Sequence, residues 1–249
     1  MNPKASVNSL TIESRHQDNH FYQFNPEIFT SFSSDVFNAS YWQQQNKVVG
    51  TAQGRGTTWF IQHNSHQIVL RHYFRGGLIG KLLNDGYLFT GLEKSRPYLE
   101  FFLLKDMFEF GLPVPEPLAY ALTKKGLYYT ADIVTRRIEN AKDLVGILSQ
   151  NAVEAGVWQE IGHTIRQFHE HGINHHDLNC HNILIDDNNK VWIIDFDQGK
   201  KMPSAGDWQQ SNIDRLKRSF LKELNRLPTF YWQEDNWQQL MQGYEAASK

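Results

Sequence analysis

Residues 175–185 read HHDLNCHNILI, and residues 193–197 read IIDFD. Each stretch combines an apolar run, of the kind that forms a short buried strand, with acidic and amide side chains at its end. The segment between the runs is rich in Asp and Asn and predicts a hairpin turn. Because a hairpin places its two strands side by side, we expect Asp177, Asn182 and Asp195 to lie on one wall of a site.

Phosphoryl transfer is the chemistry that such a wall fits best. This reaction depends mainly on positioning and on neutralising charge, so it needs few protein groups. Asp177 is placed to orient an attacking hydroxyl and to accept its proton. Asn182 and Asp195 are placed to hold Mg²⁺, which prefers one or two carboxylates together with phosphate oxygens. The sequence therefore predicts a magnesium- and ATP-dependent site.

The spacing of these three residues resembles the catalytic loop and the Asp-Phe-Gly segment of the protein-kinase superfamily. This chain departs from the pattern at Asp197, which stands where that superfamily has glycine. The resemblance implies an α+β, protein-kinase-like fold with two lobes. The N-lobe would be small and mainly antiparallel β with one helix, and the C-lobe would be short and mainly helical.

The pattern of elements along the chain agrees with a two-lobed α+β fold. We expect a polar leader over residues 1–20, an N-lobe over 21–134 and a C-lobe over 135–249. The predicted strands are 47–49, 57–62, 67–73, 119–121 and 127–134, with two more flanking the hairpin turn. The predicted helices are 95–110, 158–170, 207–224 and 232–244, of which the first has Ser95 as a plausible N-cap.

The N-lobe should bind the nucleotide. Gly50, Gly54 and Gly56 belong to a Gly-containing hairpin whose backbone N–H groups could cover phosphates. Arg71 stands in the strand position where the superfamily usually has Lys, and Arg is not an equivalent substitute for Lys. Lys81 is the other candidate for this phosphate contact.

The acidic partner of that basic residue is best placed at Glu100, in the middle of the predicted helix. Glu93 is the runner-up, since it precedes the helix. The connection after the last N-lobe strand should contact the adenine through its backbone. The residues offered for this contact are Ile133, Val134, Arg136 and Ile138.

The acceptor is expected to be small or membrane-bound. Only 54 residues follow Asp195, and they contain no Ala-Pro-Glu-like anchor of the kind that protein-substrate kinases use. The segments RHYFRGGL (71–78), LPVPEP (112–117), HDLNCHNIL (176–184) and NIDRLKRS (212–219) resemble the bacterial lipopolysaccharide core kinases. Within that family, the resemblance is to the kinases of 3-deoxy-D-manno-octulosonic acid (Kdo).

That resemblance implies ATP-dependent phosphorylation of the Kdo 4-hydroxyl in a Kdo–lipid A precursor. It also implies a peripheral location on the cytoplasmic face of the inner membrane, with an anionic membrane surface as partner. The acceptor carries a carboxylate and phosphates, which basic side chains would neutralise. The candidates for this contact are Arg75, Lys81, Arg215 and Arg218.

Composition excludes several other classes. The formal net charge is −2, so a general nucleic-acid binder is not expected. Cys180 is the only cysteine, which rules out an intrachain disulfide and fits a reducing compartment. No run of about 18 apolar residues is present, so no transmembrane helix is expected.

Two further hypotheses stay open at this stage. One is a kinase of the same reaction type with another acceptor, either a heptose kinase or an aminoglycoside- or choline-type kinase. The other is a pseudokinase that binds nucleotide without turnover. The presence of Asp177, Asn182 and Asp195 argues against a pseudokinase, while Arg71 argues weakly for it.

Overall fold

The computed structural model describes residues 9–54, 56–75, 85–203 and 205–246. It divides the chain into two compact units. Unit 1 consists of Met1–Phe110 and Pro115–Arg137, and unit 2 consists of Gly111–Val114 and Ile138–Lys249. The predicted α+β class is confirmed, because unit 1 contains an antiparallel sheet and unit 2 is mainly helical.

The sheet of unit 1 is antiparallel throughout, with strand order β1-β2-β7-β8-β5-β4-β3 and with β6 also paired to β8. Its strands are β1 (Glu13–Gln17), β2 (His20–Phe24), β3 (Val48–Gln53), β4 (Thr57–His63), β5 (His66–His72), β6 (Tyr87–Leu88), β7 (Pro117–Lys125) and β8 (Tyr128–Arg136). The central strands carry buried apolar residues, whereas the five residues of β1 are all exposed.

The polar leader expected over residues 1–20 contains β1, which the sequence did not reveal. β1 pairs with β2 from Glu13↔Phe24 to Gln17↔His20. An edge strand of this kind is held by backbone hydrogen bonds, so it needs no apolar alternation. The N-lobe boundary expected at residue 134 also falls within an element, because β8 continues to Arg136.

Helices pack on the sheet of unit 1. The short helix α1 (Ala39–Gln44) contributes Trp42 to a core that includes Ile61, Ile68 and Leu70. The longer helix α2 (Arg96–Glu109) packs Phe101 against Tyr120 of β7, with ring centroids 5.3 Å apart. Burying such apolar faces is the main favourable term in holding a sheet and its helices together.

Helix α2 begins after Ser95, as expected, but Ser95 does not cap it through its side chain. The Ser95 hydroxyl instead donates to the carbonyl of Leu92 at 2.5 Å. Pro97 occupies the first turn of the helix, where its missing N–H costs nothing. The helix is therefore positioned by the preceding turn and by its buried face.

Unit 2 contains two small sheets and four helices in its described part. The strands are β9 (Lys142–Asp143), β10 (Ile173–Asn174), β11 (Ile183–Ile185), β12 (Val191–Ile193) and β13 (Lys200–Lys201), and the helices are α3 (Leu144–Leu148), α4 (Ala155–Glu170), α5 (Asp207–Arg226) and α6 (Glu234–Glu245). β11 pairs with β12 as the predicted hairpin, and β9 extends this sheet. No helix in the described ranges is both long and apolar enough to cross a membrane.

Helices α4 and α6 cross in direct backbone contact. A Cβ atom on Gly162 would lie 1.9 Å from the carbonyl oxygen of Leu240, and one on Gly243 would lie 1.9 Å from that of Gln159. Real Cβ atoms do not approach so closely, so both positions require glycine. Beside this crossing, Trp158 packs edge-on against Phe220 of α5.

Candidate active site

The segment of residues 175–182, called here the catalytic loop, connects β10 to β11. It presents Asp177 with its side chain about half exposed. The backbone carbonyl of Asp177 accepts hydrogen bonds from the side-chain amides of Asn179 at 2.9 Å and Asn182 at 3.0 Å. The amide nitrogen of Asn182 is therefore engaged, and its oxygen is the atom left to bind a cation.

His175 stabilises the catalytic loop through two contacts. Its Nε2 lies 2.9 Å from the carbonyl oxygen of Ile194, while the backbone N–H of Asp177 points to its Nδ1 at 3.3 Å. These two contacts together describe a neutral ring that donates from Nε2 and accepts at Nδ1. Burial lowers the pKa of His175, which agrees with a neutral ring. His175 thus serves the loop's geometry.

Asp195 follows β12 and has a positive φ of 64°. Asp is among the few residues that adopt this conformation readily. The backbone N–H of Ile194 donates to the carbonyl of Asn182 at 3.0 Å, so Asn182 and Asp195 occupy neighbouring positions at one end of the β11–β12 hairpin. Phe196 turns into the core and stacks with Phe168 at 5.6 Å.

The donors at this end of the hairpin fit a hard cation. An amide oxygen and a carboxylate are the ligand types that Mg²⁺ selects, with phosphate oxygens and water completing its shell. The described residues contain no group of three or more His, Cys, Asp or Glu side chains placed to hold a metal.

Helix α5 contacts the catalytic loop along its length. Four of its side chains, spaced by three or four residues, meet four successive points of the loop. Asn212 Oδ1 accepts from the N–H of His175 (3.2 Å), Arg215 Nη1 donates to Asp177 Oδ1 (3.2 Å), Ser219 Oγ accepts from the N–H of Cys180 (3.0 Å), and His181 Nε2 lies 3.2 Å from a carboxylate oxygen of Glu223.

The sequence had assigned Arg215 to the acceptor and had not connected it with Asp177. The other three contacts of α5 were not predicted. The available signal was the recurrence of polar residues at helical spacing along the apolar stripe that contains Ile213, Leu216 and Phe220. A polar residue within an apolar stripe must find a partner, because burying it alone is costly.

In unit 1, Arg71 and Glu100 form a buried cluster with Tyr73. Nη2 of Arg71 lies 2.6 and 2.8 Å from the two carboxylate oxygens of Glu100. The hydroxyl of Tyr73 donates to the same carboxylate at 2.6 Å, and its ring lies 4.7 Å from the guanidinium carbon. Sequence reasoning missed Tyr73. Glu93, the runner-up, lies outside α2 in a short 3₁₀ turn.

The glycine hairpin differs in part from the expectation. Gly50 lies within β3 and pairs with Phe60, so it does not belong to the turn. The turn itself contains Gly54 and Gly56, and the N–H of Gly54 donates to the carbonyl of Gly56 at 3.0 Å. A Cβ on Gly56 would lie 1.9 Å from the ring of Phe74. Gly56 therefore allows this ring to approach the turn.

Two of the four residues offered for the adenine contact lie inside a strand. Ile133 and Val134 lie inside β8, where β5 pairs with them on one side and β7 on the other. Their backbone groups serve the sheet, so they are not part of a connection. Arg136 ends β8 and bonds Glu116 at 2.5 Å, and Ile138 is the first residue of the second segment of unit 2.

The remaining acceptor candidates occupy different surroundings. Arg75 donates to the carbonyl of Gly86 at 3.2 Å and lies over the ring of Tyr87. Arg218 is exposed on α5. Lys81 lies outside the described residues.

Comparisons with known proteins identify the family. The model of the lipopolysaccharide kinase (Kdo/WaaP) family matches residues 39–244. The chain is 48% identical over 223 residues to the 3-deoxy-D-manno-octulosonic acid kinase of Vibrio parahaemolyticus serotype O3:K6, covering 90% of this chain and 93% of the relative. It is 47% identical over 218 residues to the kinase of the same name from Photobacterium damsela subsp. piscicida, covering 87% and 90%.

Among solved structures, the granulovirus kinase PK-1 of Cydia pomonella aligns with a TM-score of 0.45 and 10% identity, over 69% of this chain and 58% of that one. The family match is independent of this structural comparison, since it spans most of the chain and is joined by relatives well above 40% identity. The chain therefore belongs to the lipopolysaccharide kinase (Kdo/WaaP) family and is an enzyme of the kinase class.

Proposed function

We propose that this protein transfers the γ-phosphoryl group of ATP to the 4-hydroxyl of Kdo in a Kdo–lipid A precursor. The observation that carries the proposal is the catalytic loop, where an exposed Asp177 carboxylate stands beside the oxygen donors Asn182 and Asp195. The relatives named as Kdo kinases support the choice of acceptor.

Asp177 is the proposed catalytic residue. Its carboxylate would accept a hydrogen bond from the 4-hydroxyl, align that oxygen with the γ-phosphorus and take the proton as the new P–O bond forms. The two amide groups that bind its backbone carbonyl hold the backbone of Asp177 in place. Asn182 and Asp195 would hold Mg²⁺, which when bound neutralises charge on the phosphates.

The nucleotide would be contacted by residues of unit 1. Arg71 presents a guanidinium fixed by Glu100 and Tyr73, and a fixed planar fork suits phosphate oxygens. Gly54 and Gly56 are the remaining candidates to approach the phosphates closely. We propose two lobes that divide after Arg137, where β8 has ended, with Ile138 as the candidate adenine contact.

The acceptor would be recognised through its negative charges. Arg75, Lys81, Arg215 and Arg218 are the proposed contacts with its carboxylate and phosphates. Because the acceptor is lipid-linked, we also propose that the enzyme works at the cytoplasmic face of the inner membrane as a peripheral protein, attracted by anionic lipid.

Product analysis tests the proposal. Purified protein is incubated with ATP, Mg²⁺ and a Kdo–lipid A precursor, and the product is located by mass spectrometry with fragmentation and by NMR. We expect one added phosphate on O4 of Kdo. Phosphate on a heptose-bearing acceptor but not on Kdo would replace the proposed acceptor with heptose. Nucleotide binding without transfer to either acceptor would favour the pseudokinase hypothesis.

A further inference from the structure

We infer that Arg215 is a specificity-determining residue, which binds the carboxylate of the acceptor sugar while it orients Asp177. This inference rests on the proposed function, and it assigns one group of the acceptor and a dual role to one of the proposed contacts. It arises from the position of Arg215 in the contacts between α5 and the catalytic loop, where it is the only basic side chain of the four.

The backbone of Arg215 is fixed relative to the catalytic loop. Asn212, one turn before it, and Ser219, one turn after it, both bind backbone N–H groups of the catalytic loop. Such bonds tie the helix backbone to the loop backbone at two places. The Cα of Arg215 is therefore held at a set distance from Asp177, whichever way its long side chain points.

The ion pair between Arg215 and Asp177 can exchange its partners. The side chains of Arg215 and Asp177 are 44% and 51% exposed, and they share a single contact of 3.2 Å. An exposed, monodentate pair contributes little to stability. A guanidinium carries five N–H donors, so most of those on Arg215 remain for a second anion beside Asp177.

The acceptor carries an anionic group close to its reacting hydroxyl. Kdo is a 2-ulosonic acid, so its carboxylate is attached to C2 of the sugar ring. The reacting hydroxyl is on C4, two ring positions from C2, with only C3 between them. When Asp177 binds the 4-hydroxyl, the sugar carboxylate thus lies within reach of the neighbouring guanidinium of Arg215. A planar guanidinium matches a carboxylate in geometry as well as in charge.

This arrangement also gives a reason for specificity. An acceptor without the carboxylate would leave the guanidinium free to bind Asp177 more closely and to compete with the hydroxyl. An acceptor with the carboxylate draws the guanidinium toward itself and leaves one Asp177 oxygen for the hydroxyl proton. The same residue would thereby favour sugar acids over neutral sugars.

A comparison of two acceptors with three proteins tests the inference. The acceptors are the Kdo–lipid A precursor and its derivative in which the carboxylate is converted to the methylamide. The proteins are the wild type, Arg215→Gln and the matched control Lys217→Gln, which removes the same charge from another face of α5, where Lys217 pairs with Glu234. Steady-state kcat and KM are measured for each combination, and circular dichroism checks folding.

We expect Arg215→Gln to raise the KM of the natural acceptor about 30-fold, as for the loss of a charge-assisted bond. We expect the methylamide to raise the wild-type KM by a similar factor, and Arg215→Gln to show almost no preference between the two acceptors. Arg215→Lys should recover part of the KM, and Lys217→Gln should behave as the wild type.

Two results would overturn the inference. One is an equal loss with both acceptors, concentrated in kcat, because Arg215 would then act through Asp177 alone. The other is unchanged kinetics in Arg215→Gln. A wild type that does not phosphorylate the Kdo acceptor would instead remove the proposed function itself, and this result is recognised before any variant is compared.

Discussion

Two of the arginine–carboxylate pairs, Arg71–Glu100 and Arg215–Asp177, differ in burial. In unit 1, Glu100 is 4% exposed and receives Arg71 together with the hydroxyl of Tyr73. In unit 2, Arg215 and Asp177 are 44% and 51% exposed and share one contact. The first pair is a closed hydrogen-bonded cluster, whereas the second is open to solvent and to ligands.

The difference in burial agrees with the two different tasks proposed for these pairs. A buried carboxylate is costly to leave unpaired, so Glu100 holds Arg71 in one orientation. An exposed pair gains little from its own attraction, so Arg215 and Asp177 can exchange partners during a reaction. A rigid cation suits the phosphates of a nucleotide, and an exchangeable pair suits the turnover of an acceptor.

The largest expected effect comes from removing the carboxylate of the open pair. Asp177→Ala should lower kcat about 10²- to 10⁴-fold, the usual contribution of a positioned base, while the affinity for ATP stays within about twofold of the wild type. Initial rates and calorimetric titration measure the two quantities. Asp187→Ala, in the exposed turn of the same hairpin, is the control. Unchanged turnover in Asp177→Ala would contradict the assigned role.

A substitution in the cluster of Arg71, Glu100 and Tyr73 should cause a large loss of stability. Glu100→Gln removes the carboxylate charge that the half-buried Arg71 contacts at 2.6 Å, and we expect the free energy of unfolding to fall by about 2–4 kcal/mol. Urea denaturation measures it. Asp106→Asn on the exposed side of the same helix should cost less than about 0.5 kcal/mol. Similar losses in the free energy of unfolding for the two variants would show that the cluster contributes little to stability.

Tyr73→Phe tests the same cluster at one bond. The ring stays in place and only the hydroxyl that donates to Glu100 at 2.6 Å is lost. We expect a loss of about 1.5–2 kcal/mol in the free energy of unfolding, as for a hydrogen bond to a charged group. The KM for ATP should rise a few-fold because Arg71 is less firmly held. Tyr128→Phe, with an exposed ring, is the control and should change neither quantity.

The smallest expected effect is on the stability of the open pair. Arg215→Gln should change the free energy of unfolding by about 0.5 kcal/mol or less, because exposed pairs contribute little. Urea denaturation of this variant beside Glu100→Gln gives the comparison directly. A loss above about 1.5 kcal/mol would mean that Arg215 is a structural group, and the contrast between the two pairs would disappear.

Much of the candidate site could be predicted from local sequence. Asp177, Asn182 and Asp195 stand near short apolar runs joined by an Asp/Asn-rich turn, and the hairpin that this pattern predicts brings Asn182 and Asp195 to one end of its strands. Glu100 and Arg71 were paired because each occupied a position implied by a resemblance. The bond from Tyr73 had no such signal, since an aromatic residue beside a strand is more often simply core.

The errors have a common cause. Gly50 reads as a turn residue but lies in β3, and β8 continues to Arg136 beyond its predicted end at residue 134, because the pairing of neighbours decides where a strand ends. β1 was missed because all of its residues are exposed and it carries no apolar pattern.

The sequence by itself determined the kinase chemistry, the α+β class and the order of the main elements, because these depend on local spacing and periodicity. Only the tertiary structure decided that helix α5 supports the catalytic loop and that Tyr73 shares Glu100 with Arg71. It also decided that Gly162 and Gly243 meet at a helix crossing. These contacts join residues far apart in the chain, so their energies depend on packing that no local pattern encodes.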